Sequence, residues 1–265
     1  MSLMCLIVVS NLDNIIVLDK LEIMREKNLE LMQHQLDALL YVKERIHSYL
    51  ALDMGLGKTA IGLRIAPSLG LNMTWVICPG YLRNNWFAEA LMWGYQEKEV
   101  QIILTRTAKL QYKRLTISSY DAKTIKNIMN QAMWFDVLIC DEAHYLGGKS
   151  SQRTKCITGS DKRVKNVATR CASRTVYMSG TPMLNRPREL WAILRAVYPE
   201  NTFLQDYYQY AYRYCIGYGI GGEIDDSGAC NLEELKEKFL SPFMLRVKKE
   251  EVLSLPEKVL SLIHI

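Results

Sequence analysis

The chain has 265 residues and a formal net charge of +5, with 49 % apolar and 23 % charged residues. It is long enough to bury a large core, and this composition excludes disordered and fibrous classes of protein. The seven cysteines include no C-x-x-C pair, which argues against a disulfide framework or a zinc site and favours a reducing setting. No apolar stretch is long enough to span a membrane. We therefore expect an intracellular protein without a membrane partner, in the cytoplasm or nucleoid of a prokaryote or virus, or in the nucleus of a eukaryote.

The first part of the chain predicts a hairpin, a helix and then a strand that leads into a glycine-containing turn. Two short apolar runs around an Asn/Asp turn predict a β-hairpin over residues 1–20, and helical spacing follows over residues 20–45. An apolar run from Tyr49 to Leu52 predicts a buried strand. A second run over residues 59–66 predicts a helix that starts directly after the turn.

This turn predicts a phosphate-binding site. Gly55 and Gly57 permit backbone conformations in which successive N–H groups point at phosphate oxygens, and the following helix adds its positive end. Lys58 would reach the β- and γ-phosphates, and the Thr59 hydroxyl would hold Mg²⁺. Leu52 stands where the consensus P-loop has a glycine, so the turn by itself also fits an ordinary strand-to-helix connection. The expected nucleotide contacts are Met54, Gly55, Leu56, Gly57, Lys58, Thr59 and Ala60.

Strand and helix patterns then alternate along the chain. Strands are predicted over residues 74–78, 100–104, 114–118, 135–140 and 174–178, and helices over residues 82–93, 121–133 and 189–197. Such alternation predicts a doubly wound α/β lobe with a mostly parallel sheet, here over residues 21–200. A tyrosine-rich stretch and a glycine-rich loop follow without a strand pattern, so residues 201–265 are predicted to form a helical extension.

A second candidate site follows the strand predicted over residues 135–140. This strand runs directly into Asp141 and Glu142, and it would deliver both carboxylates to the edge of the sheet beside the phosphate turn. Asp141 could hold Mg²⁺ through its waters, and Glu142 could orient an attacking water. The alternative is a strand that ends in two solvated acids. The nucleotide hypothesis requires Lys58 and Asp141 to meet at one edge of one sheet.

Taken together, these stretches resemble the superfamily 2 helicase-like ATPases, and within them the N-terminal RecA-like lobe of the Swi/Snf family of DNA translocases. Residues 53–59 resemble motif I, with Leu52 and Asp53 in place of the usual Asp and Glu. The other matching boxes are Cys78-Pro79 with Asn85-Trp86, residues 117–121, Asp141-Glu142-Ala143-His144 and Ser179-Gly180-Thr181-Pro182. Residues 185–190, 212–215, 231–235 and 244–258 are similar to the annealing-helicase, or HepA-related, branch.

The resemblance implies ATP and Mg²⁺ as cofactors and assigns roles to the matching residues. Lys58, Asp141, Glu142 and His144 would be catalytic, with Thr59 and Asp141 at the metal. Gln35 would contact adenine, although Met32 and Gln33 replace the usual Arg and Pro. The residues implied to couple nucleotide to movement are His144, Ser179, Gly180 and Thr181.

The resemblance also implies double-stranded or forked DNA as the substrate, held through its phosphate backbone. The expected contacts are Pro79, Gly80, Ser118 and Ser119, together with some of the bases between Lys149 and Arg174. A solvated surface is the alternative for that basic segment. A second RecA-like lobe of the same polypeptide is expected beyond residue 265, where it would supply an arginine finger. The present residues alone would then hydrolyse ATP poorly.

Two other functions remain open on the sequence. One is a degenerate lobe that binds nucleotide or DNA and regulates a partner without catalysis. Against it stands the presence of Lys58, Asp141 and Glu142, since a dead site usually loses one of these. The other is a small-molecule P-loop kinase, which the Ser-Gly-Thr-Pro box and the lack of a lid-like arginine cluster disfavour.

Overall fold

The computed structural model describes residues 30–159, 167–181, 186–215 and 225–252. The hairpin predicted over residues 1–20 lies outside these residues, as do Pro182 and the end of the chain after residue 252. The described residues contain seven strands: β1 His47–Leu52, β2 Thr74–Cys78, β3 Val100–Ile102, β4 Leu115–Ser119, β5 Phe135–Asp141, β6 Ala172–Ser179 and β7 Met244–Val247.

Helices connect the strands. The first six are α1 Gln33–Lys43, α2 Lys58–Ser68, α3 Arg83–Met92, α4 Ala122–Asn130, α5 Gln152–Thr158 and α6 Pro187–Val197. The extension adds the helices α7 Thr202–Gln205, α8 Tyr207–Tyr214, α9 Leu232–Leu235 and α10 Lys249–Val252. The helical pattern predicted from residue 20 begins, within the described residues, at Gln33. None of the described helices has the length and apolar character needed to cross a membrane.

The strands form one sheet in the order β3-β4-β2-β5-β6-β1-β7, and every neighbouring pair is parallel. Alternate residues of a strand point to opposite faces, so Tyr49 and Ala51 join one apolar core while Leu50 and Leu52 join another. Helices α1 to α3 cover the second core, and helices α4 to α9 cover the first. The predicted doubly wound α/β lobe is confirmed.

The register places the ends of three strands at one edge. Ala51 of β1 lies opposite Ser179 of β6, and Asp141 of β5 lies opposite Met178 of β6. In parallel sheets of this kind, ligands bind in the crevice beyond the carboxyl ends of the strands. The turn after β1, the acids at the end of β5 and the segment after β6 therefore share that edge.

The extension differs from its sequence-based prediction in one respect. No strand was expected after residue 201, yet Met244–Val247 pairs with β1 and forms the outer strand of the sheet. Tyr49 donates a backbone hydrogen bond to Phe243 (2.7 Å) just before this strand. The strand has only four residues, all half-buried. Such a short stretch is too brief for a two-residue alternation to be recognised in the sequence.

Candidate nucleotide site and the adjoining groove

The turn between β1 and α2 has the backbone shape expected of a phosphate cradle. Gly55 and Gly57 adopt φ values of 87° and 72°, in the left-handed region that favours glycine. Gly57 is the N-cap of α2, and among the described residues no side chain caps this helix. The first N–H groups of an α-helix have no acceptor within the helix, so they remain available to an anion at this end.

Lys58 lies over this turn. Its Nζ donates to the carbonyl oxygens of Leu52 (3.1 Å) and Asp53 (3.5 Å). A Cβ placed on Gly180 would lie 3.2 Å from the same Nζ and 3.1 Å from Cγ of Met54. The Lys58 ammonium group therefore occupies a narrow space between the turn and the segment after β6.

Asp141 ends β5 at the same edge and is only 5 % exposed. Trp86 of α3 donates its indole N–H to Oδ2 (2.8 Å), and the backbone N–H of Glu142 donates to Oδ1 (3.0 Å). Burial raises the pKa of Asp141, while the Trp86 hydrogen bond and the positive charge of Lys58 act in the opposite direction. The structure thus brings Lys58 and Asp141 to one edge of the sheet.

Glu142, His144 and Ser179 form a chain of polar contacts next to Asp141. Glu142 has φ 51°, a left-handed conformation that is uncommon for a residue with a side chain. His144 Nδ1 lies 3.2 Å from Oε2 of Glu142 and 3.3 Å from Oγ of Ser179. The Ser179 hydroxyl in turn donates to the Thr181 carbonyl oxygen (3.1 Å). These contacts connect the end of β5 to the end of β6.

Gln35 of α1 lies directly against the phosphate turn. Its Oε1 accepts from the backbone N–H of Met32 (2.9 Å), and its Nε2 donates to the Leu56 carbonyl oxygen (3.2 Å). His34, which the sequence did not single out, makes a second contact with that carbonyl through Nε2 (3.1 Å). Any Cβ at Gly57 would fall 2.2 Å from Gln35 Nε2. The Gln35 amide therefore joins the start of α1, through Oε1, to the turn, through Nε2.

The sequence also missed a contact between the phosphate turn and the last part of the described chain. Arg246 of β7 donates to Asp53 Oδ1 (2.6 Å) and to the Ala51 carbonyl oxygen (3.1 Å). The backbone N–H of Lys249 donates to Asp53 Oδ2 (2.9 Å). The Lys249 hydrogen bond and the Arg246 charge hold the pKa of Asp53 below its usual value. The carboxylate is therefore ionised and held on both oxygens.

A groove of about 470 Å³ adjoins this site. Pro79, Gly80 and Ser119, which were predicted to contact DNA, line it together with Arg153. Ser118 does not reach it: this residue is fully buried, and its hydroxyl accepts from the Trp75 indole N–H (2.8 Å). A DNA contact by the Ser118 side chain is therefore not supported. Alternation along β4 places Ser118 inside the sheet and leaves Ser119 at its end.

Among the described residues, the bases between Lys149 and Arg174 do not form one surface. Lys149 pairs with Asp226 (3.5 Å), away from the groove. Arg174 lies near the start of β6, where it donates to the Arg45 carbonyl oxygen (2.6 Å). Lys162, Arg163 and Lys165 lie outside the described residues. Of this segment, Arg153 is the base that lines the groove in the part of the chain that the structure describes.

The parallel sheet, the glycine turn with Lys58, and the buried acid at the same edge define a RecA-like nucleotide-binding lobe. Residues 33–265 match the SNF2-related domain. The chain therefore belongs to the SNF2-related domain family, whose members are helicase-like ATPases.

Relatives and solved structures agree with this assignment. The chain is 30 % identical over 248 residues to the mouse DNA annealing helicase and endonuclease ZRANB3, covering 87 % of this chain and 22 % of that protein. It is 34 % identical over 217 residues to the Xenopus laevis SWI/SNF-related matrix-associated actin-dependent regulator of chromatin subfamily A-like protein 1, covering 79 % and 21 %. The chain thus spans about a fifth of the length of these relatives.

Among solved structures, the SWI2/SNF2 ATPase core of Sulfolobus solfataricus in complex with dsDNA aligns with a TM-score of 0.63 and 20 % identity, over 83 % of this chain and 45 % of that one. The same core domain solved in another structure gives a TM-score of 0.66 and 19 % identity, over 86 % and 46 %. At this identity the comparison establishes the fold, and the RecA-like architecture is confirmed.

Proposed function

We propose that the chain is the N-terminal motor lobe of an ATP-dependent DNA translocase, which binds Mg-ATP at the phosphate turn and the DNA backbone in the adjoining groove. The observation that carries this proposal is the meeting of Lys58 and Asp141 at one edge of the sheet, beside a groove lined by Pro79, Gly80 and Ser119. A nucleotide site and a polyanion groove that share an edge are what a DNA-driven ATPase requires.

The residues at the nucleotide site suit Mg-ATP. The N–H groups at the start of α2 and the Lys58 ammonium would bind the phosphates. The Thr59 hydroxyl and the Asp141 carboxylate would hold Mg²⁺, an ion that prefers oxygen ligands and keeps several of its waters. When bound, the ion would neutralise charge on the phosphates. Glu142 would orient the attacking water, with its carboxylate held by His144 at 3.2 Å.

The groove suits a nucleic-acid backbone. Its lining offers the exposed backbone of Gly80, the Ser119 hydroxyl and the Arg153 guanidinium. Such groups contact phosphates and carry little base information. Binding through them weakens as the salt concentration rises, because phosphate contacts release counterions. Double-stranded or forked DNA is therefore the proposed partner.

A second RecA-like lobe of the same polypeptide would complete the motor. In P-loop NTPases, an arginine finger supplied in cis or by a partner accelerates hydrolysis by about 10³- to 10⁵-fold. The lobe described here would accordingly turn over ATP slowly by itself. A non-catalytic regulatory module is the competing function, and the intact Lys58, Asp141 and Glu142 arrangement argues against it.

The deciding experiment is DNA-stimulated ATP hydrolysis by the natural full-length protein and its K58A and E142Q variants. We expect K58A to lose nucleotide binding and E142Q to bind nucleotide without turnover. K126A, which removes an exposed lysine on α4, serves as the matched control and should hydrolyse ATP normally. Unchanged turnover in both K58A and E142Q would exclude a motor. Strong DNA-stimulated hydrolysis by residues 1–265 alone would exclude the two-lobe arrangement.

A further inference from the structure

Tyr120 connects the groove to the candidate magnesium ligand. It follows β4 directly, its ring forms part of the groove lining, and the residue is only 6 % exposed. Its hydroxyl donates to the backbone carbonyl oxygen of Asp141 (2.8 Å). Burial raises the pKa of Tyr120 far above neutral pH, so the hydroxyl keeps its proton and remains a donor. One side chain therefore lines the groove and holds the backbone of the acid.

A second aromatic ring backs Tyr120. Tyr145 stacks on it with ring centroids 5.4 Å apart and an interplanar angle of 13°. The guanidinium of Arg153 lies 5.4 Å from the centroid of the Tyr145 ring. Tyr145 also directly follows His144, and the two rings lie 5.0 Å apart. Arg153, Tyr145 and Tyr120 thus form a continuous series of contacts from the charged wall of the groove to Asp141.

Asp141 receives a matching contact from the other wall of the groove. Pro79 and Gly80 line that wall and lead into α3, whose Trp86 donates to the Asp141 carboxylate. Trp86 has little room to move, because a Cβ on Gly62 of α2 would lie 2.6 Å from its ring. Each of the two segments that line the groove therefore leads to an aromatic side chain that donates a hydrogen bond to Asp141. Trp86 donates to the carboxylate, and Tyr120 donates to the backbone carbonyl oxygen.

We propose that Tyr120 is a positioning residue through which occupation of the groove alters the placement of Asp141, and so the rate of ATP hydrolysis. This inference rests on the proposed function, because it assigns a route by which DNA would stimulate that activity. A ligand drawn to Arg153 and Ser119 would press on the two stacked rings. The Tyr120 hydroxyl would transmit the shift to the Asp141 carbonyl. By thermodynamic reciprocity, if DNA in the groove changes the affinity of the nucleotide site for ATP, bound ATP changes the affinity of the groove for DNA by the same factor.

The test is Y120F in the natural full-length protein, since this change removes the hydroxyl and keeps the ring. Three quantities are measured: the ratio of kcat with and without duplex DNA, the Kd for that DNA, and the Tm. We expect the kcat ratio to fall about two- to tenfold, the loss of one buried neutral hydrogen bond. The DNA Kd should stay within about twofold, because the hydroxyl points away from the groove.

Y210F is the matched control. Tyr210 is also buried, and its hydroxyl also donates to a backbone carbonyl oxygen, that of Pro187 (2.7 Å), at the start of α6. We expect Y210F to lower the Tm by a similar amount and to leave the kcat ratio unchanged. If Y120F proves too unstable to assay, Y145L removes the stacked ring and keeps the Tyr120 hydroxyl. It should also reduce the kcat ratio.

The outcomes separate the inference from the proposed function. An unchanged kcat ratio in Y120F or Y145L, with a DNA-stimulated wild type, overturns the role of Tyr120 and leaves the motor intact. A Y120F loss of DNA affinity as large as the loss of stimulation also overturns it, since Tyr120 would then be a plain DNA contact. A wild type that DNA does not stimulate overturns both.

Discussion

Arg246 donates a hydrogen bond of 2.6 Å to Asp53, although the two residues are separated by 193 positions in the sequence. The bond joins the last strand of the sheet to the turn that would hold the phosphates of ATP. The same carboxylate accepts from the Lys249 backbone N–H (2.9 Å). The turn is thus fixed from outside as well as by its own glycines.

We predict that D53N and R246Q each lower the Tm and weaken nucleotide binding, because either change releases the turn from β7. The losses in the double variant should be smaller than the sum of the two single losses, since both changes remove the Arg246–Asp53 contact. R213Q removes an arginine from an exposed ion pair in the extension, with Glu234, and should leave nucleotide affinity unchanged. Additive losses in the double variant would contradict the prediction. Thermal unfolding and titration with a fluorescent nucleotide measure both effects.

The contribution of Asp53 should also depend on pH in a defined direction. Its pKa is lowered in the folded protein, so its stabilising effect is fully present above the ordinary carboxyl pKa of about 3.9 and is lost as the pH falls through the lower, folded value. The difference in Tm between wild type and D53N should therefore persist from neutral pH down to about pH 4 and shrink below it.

We predict that W86F moves the acidic limb of the pH–rate profile to higher pH. The Trp86 N–H stabilises the ionised form of Asp141, whereas burial favours the protonated form. Without this hydrogen bond, the pKa of Asp141 should rise further. At a given acidic pH, more of the Asp141 carboxylate is then protonated, and the rate of hydrolysis is lower than in the wild type. W191F is the control, because that buried indole donates to the Leu204 carbonyl oxygen (2.9 Å) outside the site. An equal shift of the limb in W191F, or none in W86F, would contradict this.

We predict that G180A weakens nucleotide binding with little change in Tm. The added Cβ would lie 3.2 Å from the Lys58 Nζ and 3.1 Å from Met54 Cγ, two side-chain atoms that can move aside. Moving Lys58 misplaces a charge that would bind phosphate, so we expect up to about a tenfold loss in affinity. G148A, whose Cβ would make an ordinary 3.5 Å contact with Ser151, should bind as wild type does. Calorimetric titration with ATP measures the difference.

The sheet and the phosphate turn could be predicted from local sequence. The apolar run of β2 gives residues 74–78 without error, because a strand buried on both faces is a continuous apolar run. Four residues of the candidate site could be predicted because each stands at a fixed position relative to the end of its own strand. They are Gly55, Gly57, Lys58 and Asp141. Their meeting at one edge then follows from the parallel sheet.

The contacts that hold these residues could not be predicted in this way. The bonds from Trp86 and Tyr120 to Asp141 join separate strands and helices, and no spacing along the chain encodes them. Ser118 and Ser119 look alike in the sequence, yet the pleat of β4 buries one and presents the other. β7 is missed because its position depends on pairing with β1, whose partner residues lie 195 positions earlier in the sequence.

The outer position of β7 determines where the lobe can be cut for expression. Because β7 supplies backbone partners to β1, a product that stopped before residue 244 would leave β1 as an unprotected rim with Tyr49 to Leu52 unpaired on that side. Such a truncation would be expected to aggregate, however complete its nucleotide pocket looked. The shortest fragment that should stay folded and monomeric must therefore extend through Lys249, so that it includes β7 and the Lys249 hydrogen bond to Asp53.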